Sequence, residues 1–412
     1  MQHILADVWR REAPHVLGAL VRRYGDLGDC EDAAQEAAED AAGQWPIRGV
    51  PDDPRAWLIR VASRRLIDRA RADSARARRE TLEAARQPAD AGVAPGADEV
   101  PATEVDDTLR LLFLCCHPAL SRPSQVALSL RAVAGLTVEQ IAAAYLVPVR
   151  TMTQRLSRAR ATLREAGARL AMPSDEELPP RVAAVLDVCH LVFTEGYTRT
   201  SGQTLADVEL AEEAIRLTRQ MHGALPDHEE VSGALALMLL THARLPARTD
   251  AAGDLVPLAE QDRSRWRRDL ITEGVTLLEQ TLPRGHVGRY QIQAAIAAVH
   301  AEASTYQDTD WMQISVLYGM LSRIAPAPTV TLNHAVAVAM AHDPTAGLAM
   351  LAPLLNDPAM RRHHRLHAVR AHLLELNGDV EAAAEHYRLA AQLTTSLPEQ
   401  RYLNRRLRRI CD

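Results

Sequence analysis

Arg150, Gln154 and Arg158 stand one helical turn apart, with Thr151 and Arg155 beside them. The planar fork of an arginine matches O6 and N7 of guanine, and a glutamine amide matches N6 and N7 of adenine. Further arginines can hold phosphates and set the register. Carried on one helix, these five side chains have the chemistry to read duplex DNA in its major groove. The competing reading is a solvated arginine face on an ordinary bundle helix.

The elements around them support the first reading. From Leu130 to Arg164 the chain reads as a helix ending near Gly135, a short second helix, a tight turn and a third, basic helix. Thr137 with Gln140 three residues on is a capping box, so the second helix starts there. It keeps Ile141, Ala142 and Tyr145 on one side. The turn is Leu146-Val147-Pro148, and Pro148 suits the first position of the next helix, where a missing N–H costs nothing. Along the third helix Val149, Met152, Leu156, Ala159 and Leu163 share a narrow apolar stripe, opposite the polar set. This is the pattern of a helix-turn-helix.

Two earlier stretches carry chemistry of their own. Trp57, Arg60, Arg64, Arg65 and Arg69 fall on a helix whose apolar side is Trp57, Leu58, Val61, Ala62 and Leu66. Arginines beside an aromatic ring can hold phosphates and stack single-stranded bases; a solvated arginine face is again the alternative. Asp29, Glu31, Asp32, Gln35 and Glu36 open an acidic helix. Asp29 is expected to cap it, and acids in a first turn are favoured by the helix dipole. Residues 3–24 precede it as a helix with Ile4, Val8, Val16, Leu17, Leu20 and Val21 inward.

The whole chain of 412 residues is rich in alanine and leucine and poor in β-branched runs, so the expected class is all-α. All 47 basic residues are arginine, and the net charge is −6. That balance alone argues against a nucleic-acid binder, but the distribution reverses it. Residues 54–79 and 108–169 each carry +7, residues 80–107 between them carry −7, and residues 170–412 carry −7. Two basic blocks around an acidic spacer suggest two phosphate-facing surfaces. Cys30, Cys115, Cys116, Cys189 and Cys411 lack the spacing of a disulfide framework or a zinc site, and no apolar run approaches a membrane span. A cytoplasmic protein is expected, without metal or cofactor. His363 and His367 lie one turn apart but have no third ligand in sequence. No metalloprotease motif, phosphate-cradling glycine loop or nucleophile elbow is present, so no enzyme is expected.

Residues 80–107, with Pro, Gly, Ala and acids in no period, read as an acidic flexible linker. Two helical modules so joined resemble an extracytoplasmic-function (ECF) sigma factor of bacterial RNA polymerase. Asp29-Cys-Glu31-Asp32-Ala-Ala-Gln35-Glu36 stands where that family binds core polymerase. Pro54-Arg-Ala-Trp57-Leu with Arg60–Arg69 stands where it opens and reads the −10 promoter element. Residues 148–164 stand where it reads the −35 element. The resemblance implies sigma region two over 1–79, the linker over 80–107 and region four over 108–170. Its partners are then core RNA polymerase and promoter DNA. One departure is that Ala37, Ala38, Ala41 and Ala42 follow where the family usually has aromatics.

Residues 175–412 are expected to form an α-helical, tetratricopeptide-like extension. Ala335–Leu351 matches Ala371–Tyr387 at an offset of about 36, close to the tetratricopeptide period. His190-Leu-Val-Phe-Thr-Glu-Gly-Tyr197 fits the ECF subgroup with such an extension. The opposed charges lead to the expectation that the extension controls activity through an intramolecular contact with the linker or the sigma modules. The alternative function is a DNA-binding regulator with a C-terminal helical sensor.

Overall fold

Helices account for nearly all regular structure in the computed structural model, which describes residues 2–82, 104–145, 147–285, 287–358 and 360–411. The expected linker thus falls largely outside the described residues. The chain divides into two units, Met1–Val188 and Cys189–Asp412.

The first unit opens with α1 (Gln2–Tyr24), α2 (Leu27–Arg48) and α3 (Pro54–Leu82). Val16, Leu17, Leu20 and Val21 of α1 are buried, as their spacing requires. The cap of α2 is Asp26, whose side chain accepts from the Asp29 amide at 2.9 Å. Asp29 therefore lies in the first turn and is not the cap. The helix starts earlier because Leu27 has a buried place to fill. Ala33, Ala34, Ala37 and Ala41 are fully buried, so small side chains let α2 lie close to its neighbours. The aromatic group comes later on this helix: Trp45 is buried with its ring edge-on to Trp57 at 5.5 Å.

Next come α4 (Glu104–Cys115), α5 (Arg122–Ala132), α6 (Val138–Ala144) and α7 (Val149–Glu165). Residues 80–82 belong to α3 and residues 104–107 to α4, so the ends of the expected linker are helical. The capping box forms as read: Gln140 N–H donates to Thr137 Oγ1 at 3.2 Å, and Thr137 N–H to Gln140 Oε1 at 2.8 Å. Pro148 is the cap of α7 rather than its first residue. Val149 begins the helix and stays 44% exposed, while Met152, Leu156, Ala159 and Leu163 are buried.

Helix α8 (Leu178–Tyr197) contains the boundary between the units. Its first part belongs with α4 and α5: Arg122 donates to Ala184 O at 2.9 Å and pairs with Asp187 at 2.5 Å, and Arg181 donates to Phe113 O. The first unit accordingly runs past Leu170 to Val188.

The second unit continues with α9 (Val208–Ala224), α10 (Glu229–His242), α11 (Arg268–Thr281), α12 (Arg289–Glu302) and α13 (Trp311–Ile324). Then follow α14 (Pro328–Ala341), α15 (Pro344–Asn356), α16 (His364–Leu376), α17 (Val380–Leu393) and α18 (Leu397–Cys411). The hairpins α14–α15 and α16–α17 start at the same offset of about 36 residues, as expected of a repeat. Buried Ala335 and Ala371 hold equivalent places, as do Leu351 and Tyr387. Gly347 marks a close crossing, because a Cβ there would meet Ala335 O at 2.5 Å. Helix α18 follows the repeats and is tied by charge: Arg406 pairs with Glu375 at 2.5 Å, and Arg401 with Asp254 at 3.3 Å. Its short apolar content gave little sign of it in the sequence. A two-residue parallel pair, β1 (Ser201–Gly202) with β2 (Thr395–Ser396), joins early and late parts of this unit.

Burial holds His190 and His386 down to about 4, the latter helped by Arg370 and His367. Burial, with Arg244 and Arg263 nearby, holds His300 down to about 3. The unfolded chain takes up these protons near pH 6.5 and the folded unit does not, so stability is full above that pH. It falls as pH drops toward 4, by up to about 1.4 kcal/mol per pH unit for each histidine. Thermal melts of the full chain from pH 7.5 to 4.5, with hydrogen exchange to assign the loss, should show the second unit weakening below pH 6.5.

Candidate nucleic-acid and polymerase interface

Helix α7 is divided lengthwise by what its side chains touch. The stripe Met152, Leu156, Ala159 and Leu163 faces the core. On the other side Arg150, Thr151, Gln154 and Arg158 are exposed, and Arg155 is half-buried. Among the described residues, no hydrogen bond or ion pair engages the side chains of Arg150, Gln154, Arg155 or Arg158. The five residues read from the sequence are thus together on one free face.

Two more arginines of α7 point elsewhere. Arg160 meets Glu31 through Nη2 at 2.7 Å and Nε at 3.1 Å, and Arg164 Nε meets Asp26 at 2.7 Å. Arg131 of α5 joins them, with Nε 2.5 Å from Glu31, a bond to the Gln35 side chain, and Nη1 donating to Leu136 O at 3.0 Å. Glu31 is only 5% exposed. Burial works against ionisation of Asp26, but Arg164 and the Asp29 amide outweigh it and hold that carboxyl below its usual range. Arg160, which by residue type could equally have held a phosphate, is committed to an acid of α2 here.

The acidic set on α2 therefore separates by surroundings. Asp29, Asp32 and Gln35 are exposed, although Gln35 is bonded by Arg131, and Glu31 is buried between arginines of α5 and α7. Glu36 turns to α3, where Arg69 bonds it and Arg65 lies 3.8 Å away. Arg65 also pairs with Asp40 at 2.8 Å. Of the second arginine set, Arg60 and Arg64 are exposed without an ion pair among the described residues, while Arg65 and Arg69 brace α3 on α2. Trp57 is half-buried against Trp45. Asp26, Asp40 and Arg131 escaped the sequence reading. Asp26 had a signal, since an Asp directly before a helix start is a cap candidate, but nothing local links Arg131 to an acid 100 positions away.

The thiols are no rival centre. Burial pushes Cys30 up to about 12 and Cys116 to about 11, and Cys116 Sγ sits 3.6 Å from Ser129 Oγ. His367 spends its ring nitrogens on Arg361 O at 2.8 Å and His386 at 3.1 Å. No cluster of three or more metal-ligating side chains occurs among the described residues.

Comparison with known proteins agrees with this division. Residues 8–76 match sigma-70 region 2, and residues 110–163 match sigma-70 region 4. A probable ECF RNA polymerase sigma factor, SigI, of Mycobacterium tuberculosis is 32% identical over 161 residues, which is 39% of this chain and 54% of that protein. The chain carries both sigma-70 regions and is a homologue of an ECF sigma factor. Beyond the sigma regions, residues 181–282 of this chain match a family of unknown function. An uncharacterized protein of Rhizobium meliloti is 40% identical over 398 residues, covering 96% of this chain and 93% of its own. No solved structure matches. Among the described residues, no helix is long and apolar enough to cross a membrane.

Removing Glu31 leaves two partly desolvated guanidinium groups without their acid. Glu31→Ala should cost about 3 kcal/mol, at the low end for breaking a buried pair because Arg160 keeps some water. Glu31→Gln should cost less. Chemical denaturation of the full chain checks this, and hydrogen exchange should show α5 and α7 loosening along with α2.

Proposed function

We propose that this chain is an ECF sigma factor that binds core RNA polymerase through the acidic face of α2 and directs it to a two-part promoter. It acts as an initiation factor in the cytoplasm and not as an enzyme, and its fused second unit controls its activity. The observation that carries the reading is the state of α7. Arg150, Gln154 and Arg158 are exposed and uncommitted within the region-four match, although Arg160 and Arg164 on the same helix are engaged by acids.

Promoter readout divides between the modules. Arg150, Gln154 and Arg158 contact −35 base edges, with Thr151 and Arg155 against the backbone. Arg60 and Arg64, free of acids, lead the −10 contacts, with Trp57 offering a ring edge to the opened strand and Arg65 and Arg69 supporting from α2. The core enzyme takes Asp29 and Asp32 first, since both are exposed. Full engagement of Glu31, Gln35 and Glu36 requires their arginine partners to give way. Core polymerase and region four then compete for one face of α2.

In vitro transcription with core enzyme and a promoter library tests the reading. Arg158→Ala should lower transcription and relax preference in the −35 element only, each lost base contact being worth roughly 1–3 kcal/mol. If Arg150→Ala, Gln154→Ala and Arg158→Ala all leave that preference intact, α7 does not read the promoter. Sequence-specific binding to duplex DNA without polymerase would favour a conventional regulator instead.

Charge reversal of Asp29 and Asp32 should weaken co-purification with core enzyme without changing helical content, because neither side chain holds an ion pair among the described residues. Unchanged core binding would remove α2 from the interface. Control by the second unit is read from a chain ended after Val188, where the first unit closes. A fused domain of that size with its own core is expected to hold the sigma unit in an active arrangement, so the truncated chain should lose promoter-specific transcription. Raised activity would make the second unit an inhibitor.

A further inference from the structure

Helices α10, α12, α13 and α14 of the second unit surround a cavity of about 350 Å³. Trp311 and Tyr318 give it aromatic walls, and Arg244, His300, Gln293 and Asn333 are its chief polar groups. The volume lies at the lower end of the range for small-molecule sites, and apolar walls with a few convergent polar groups are their usual make-up.

Arg244 is the informative residue. Its Nε is shut off from solvent and has no hydrogen-bond partner. Among the described residues no acid pairs with its guanidinium. The titratable groups that feel it are Arg248, Arg263 and His300, which are cations or potential cations, and the phenol of Tyr318, which burial keeps neutral. Arg370 shares an unpartnered buried Nε, but it does not line the cavity, and three other enclosed arginines of this unit are provided for. Arg406 has Glu375, Arg248 has Tyr197 O and Thr198 Oγ1, and Arg263 donates to His300 O and Ala303 O at 2.6 Å. A partly desolvated cation without a counter-charge is unfavourable unless something supplies one. His300 Nδ1 is also buried and unpartnered. Burial, then Arg244 and Arg263, hold that imidazole down to about 3, so it stays neutral and adds one N–H or one lone pair, not a charge.

We propose that this cavity binds a small organic oxyanion with an aromatic or aliphatic body. Arg244 takes the oxyanion through its guanidinium fork, whose geometry matches a carboxylate or a phosphate bidentately. His300 Nδ1–H is a second donor, Gln293 and Asn333 orient the polar end, and the body lies between Trp311 and Tyr318. A space of this volume suits a compact molecule better than an extended peptide segment. The inference concerns binding only and stands or falls apart from the transcription reading.

The test is binding to the full chain, by thermal shift and isothermal titration. The probes are benzoate, hexanoate, phenyl phosphate, inorganic phosphate and, as the uncharged control, methyl benzoate. At about 10 mM, at least one organic oxyanion should raise Tm by roughly 2–4 °C, a shift expected at concentrations well above Kd. Methyl benzoate should not. The carboxylate and phosphate arms tell the two headgroup classes apart. Arg244→Gln should weaken binding at least about tenfold and leave the ligand-free Tm unchanged or higher, since it removes an unmatched cation. Asn333→Ala, which keeps Arg244, should bind more weakly with the fold intact. The assignment is overturned if no organic oxyanion binds, if only inorganic phosphate does, or if Arg244→Gln binds as tightly as the native chain. A ligand-free Tm several degrees lower in Arg244→Gln also overturns it, because Arg244 would then be structural.

Discussion

At the centre of the first unit the Glu31 carboxylate sits between the guanidinium groups of Arg131 and Arg160, with Gln35 sharing Arg131 and Asp26 holding Arg164. A carboxylate so enclosed is costly unless its oxygens are taken up. Here both are, one by each arginine. Such a group contributes less to net stability than its removal costs, since deleting one member strands the others. Its larger effect is on arrangement. Partners 100 and 129 positions away in sequence must come to one point on α2, which fixes how α5 and α7 lie on it. The neighbouring contacts obey the same placement. Arg22 of α1 reaches Asp107 of α4 at 2.9 Å, and Gly18 leaves the space that Asp107 enters, a Cβ there meeting Asp107 Cβ at 2.9 Å.

What could be read in the sequence was local. Thr137 and Gln140 state their helix start because both bonds of the capping box lie within one turn. The stripe through Met152, Leu156, Ala159 and Leu163 and the repeat at 328–393 are periodic, and burial follows the period. The cap of α2 was misplaced by three residues because Asp26 and Asp29 are both good caps, and only the buried site awaiting Leu27 decides between them. Arg160 looked equivalent to Arg155 on charge alone. The distinction comes from Glu31 on another module, which no local pattern contains. Likewise α18 is mostly charged, and it is held by Asp254 and Glu375, far away in the chain.

The commitments of the arginines carry the synthesis further. With lysine absent, every cation of the chain has the same fork-shaped donor group, so residue type cannot separate structural from ligand-facing positions. Position on the helix does. At about 100° per residue, α7 has its apolar stripe at 152, 156, 159 and 163. Next around the cylinder comes an acid-matched stripe at 160 and 164, and then a free stripe at 150, 154 and 158. The same separation recurs on α3, where Arg65 and Arg69 are matched to Asp40 and Glu36 while Arg60 and Arg64 are free.

Docking of the two sigma modules therefore treats their two kinds of surface differently. It leaves the free stripe of α7 open, buries Glu31 and engages the exposed Gln35 on α2 through Arg131. On the proposed reading, the docked form is able to meet DNA before it is fully able to grip polymerase, and core enzyme must supply its own cations to displace Arg131 and Arg160. Exchange of one set of charge-assisted bonds for another of the same kind has a small net free energy, even though each set is strong. An interface built on such an exchange can be shifted by modest added terms. A domain fused immediately after the first unit is in a position to supply one, and an anion that fills the cavity beside Arg244 would alter the stability of that domain without touching either sigma module.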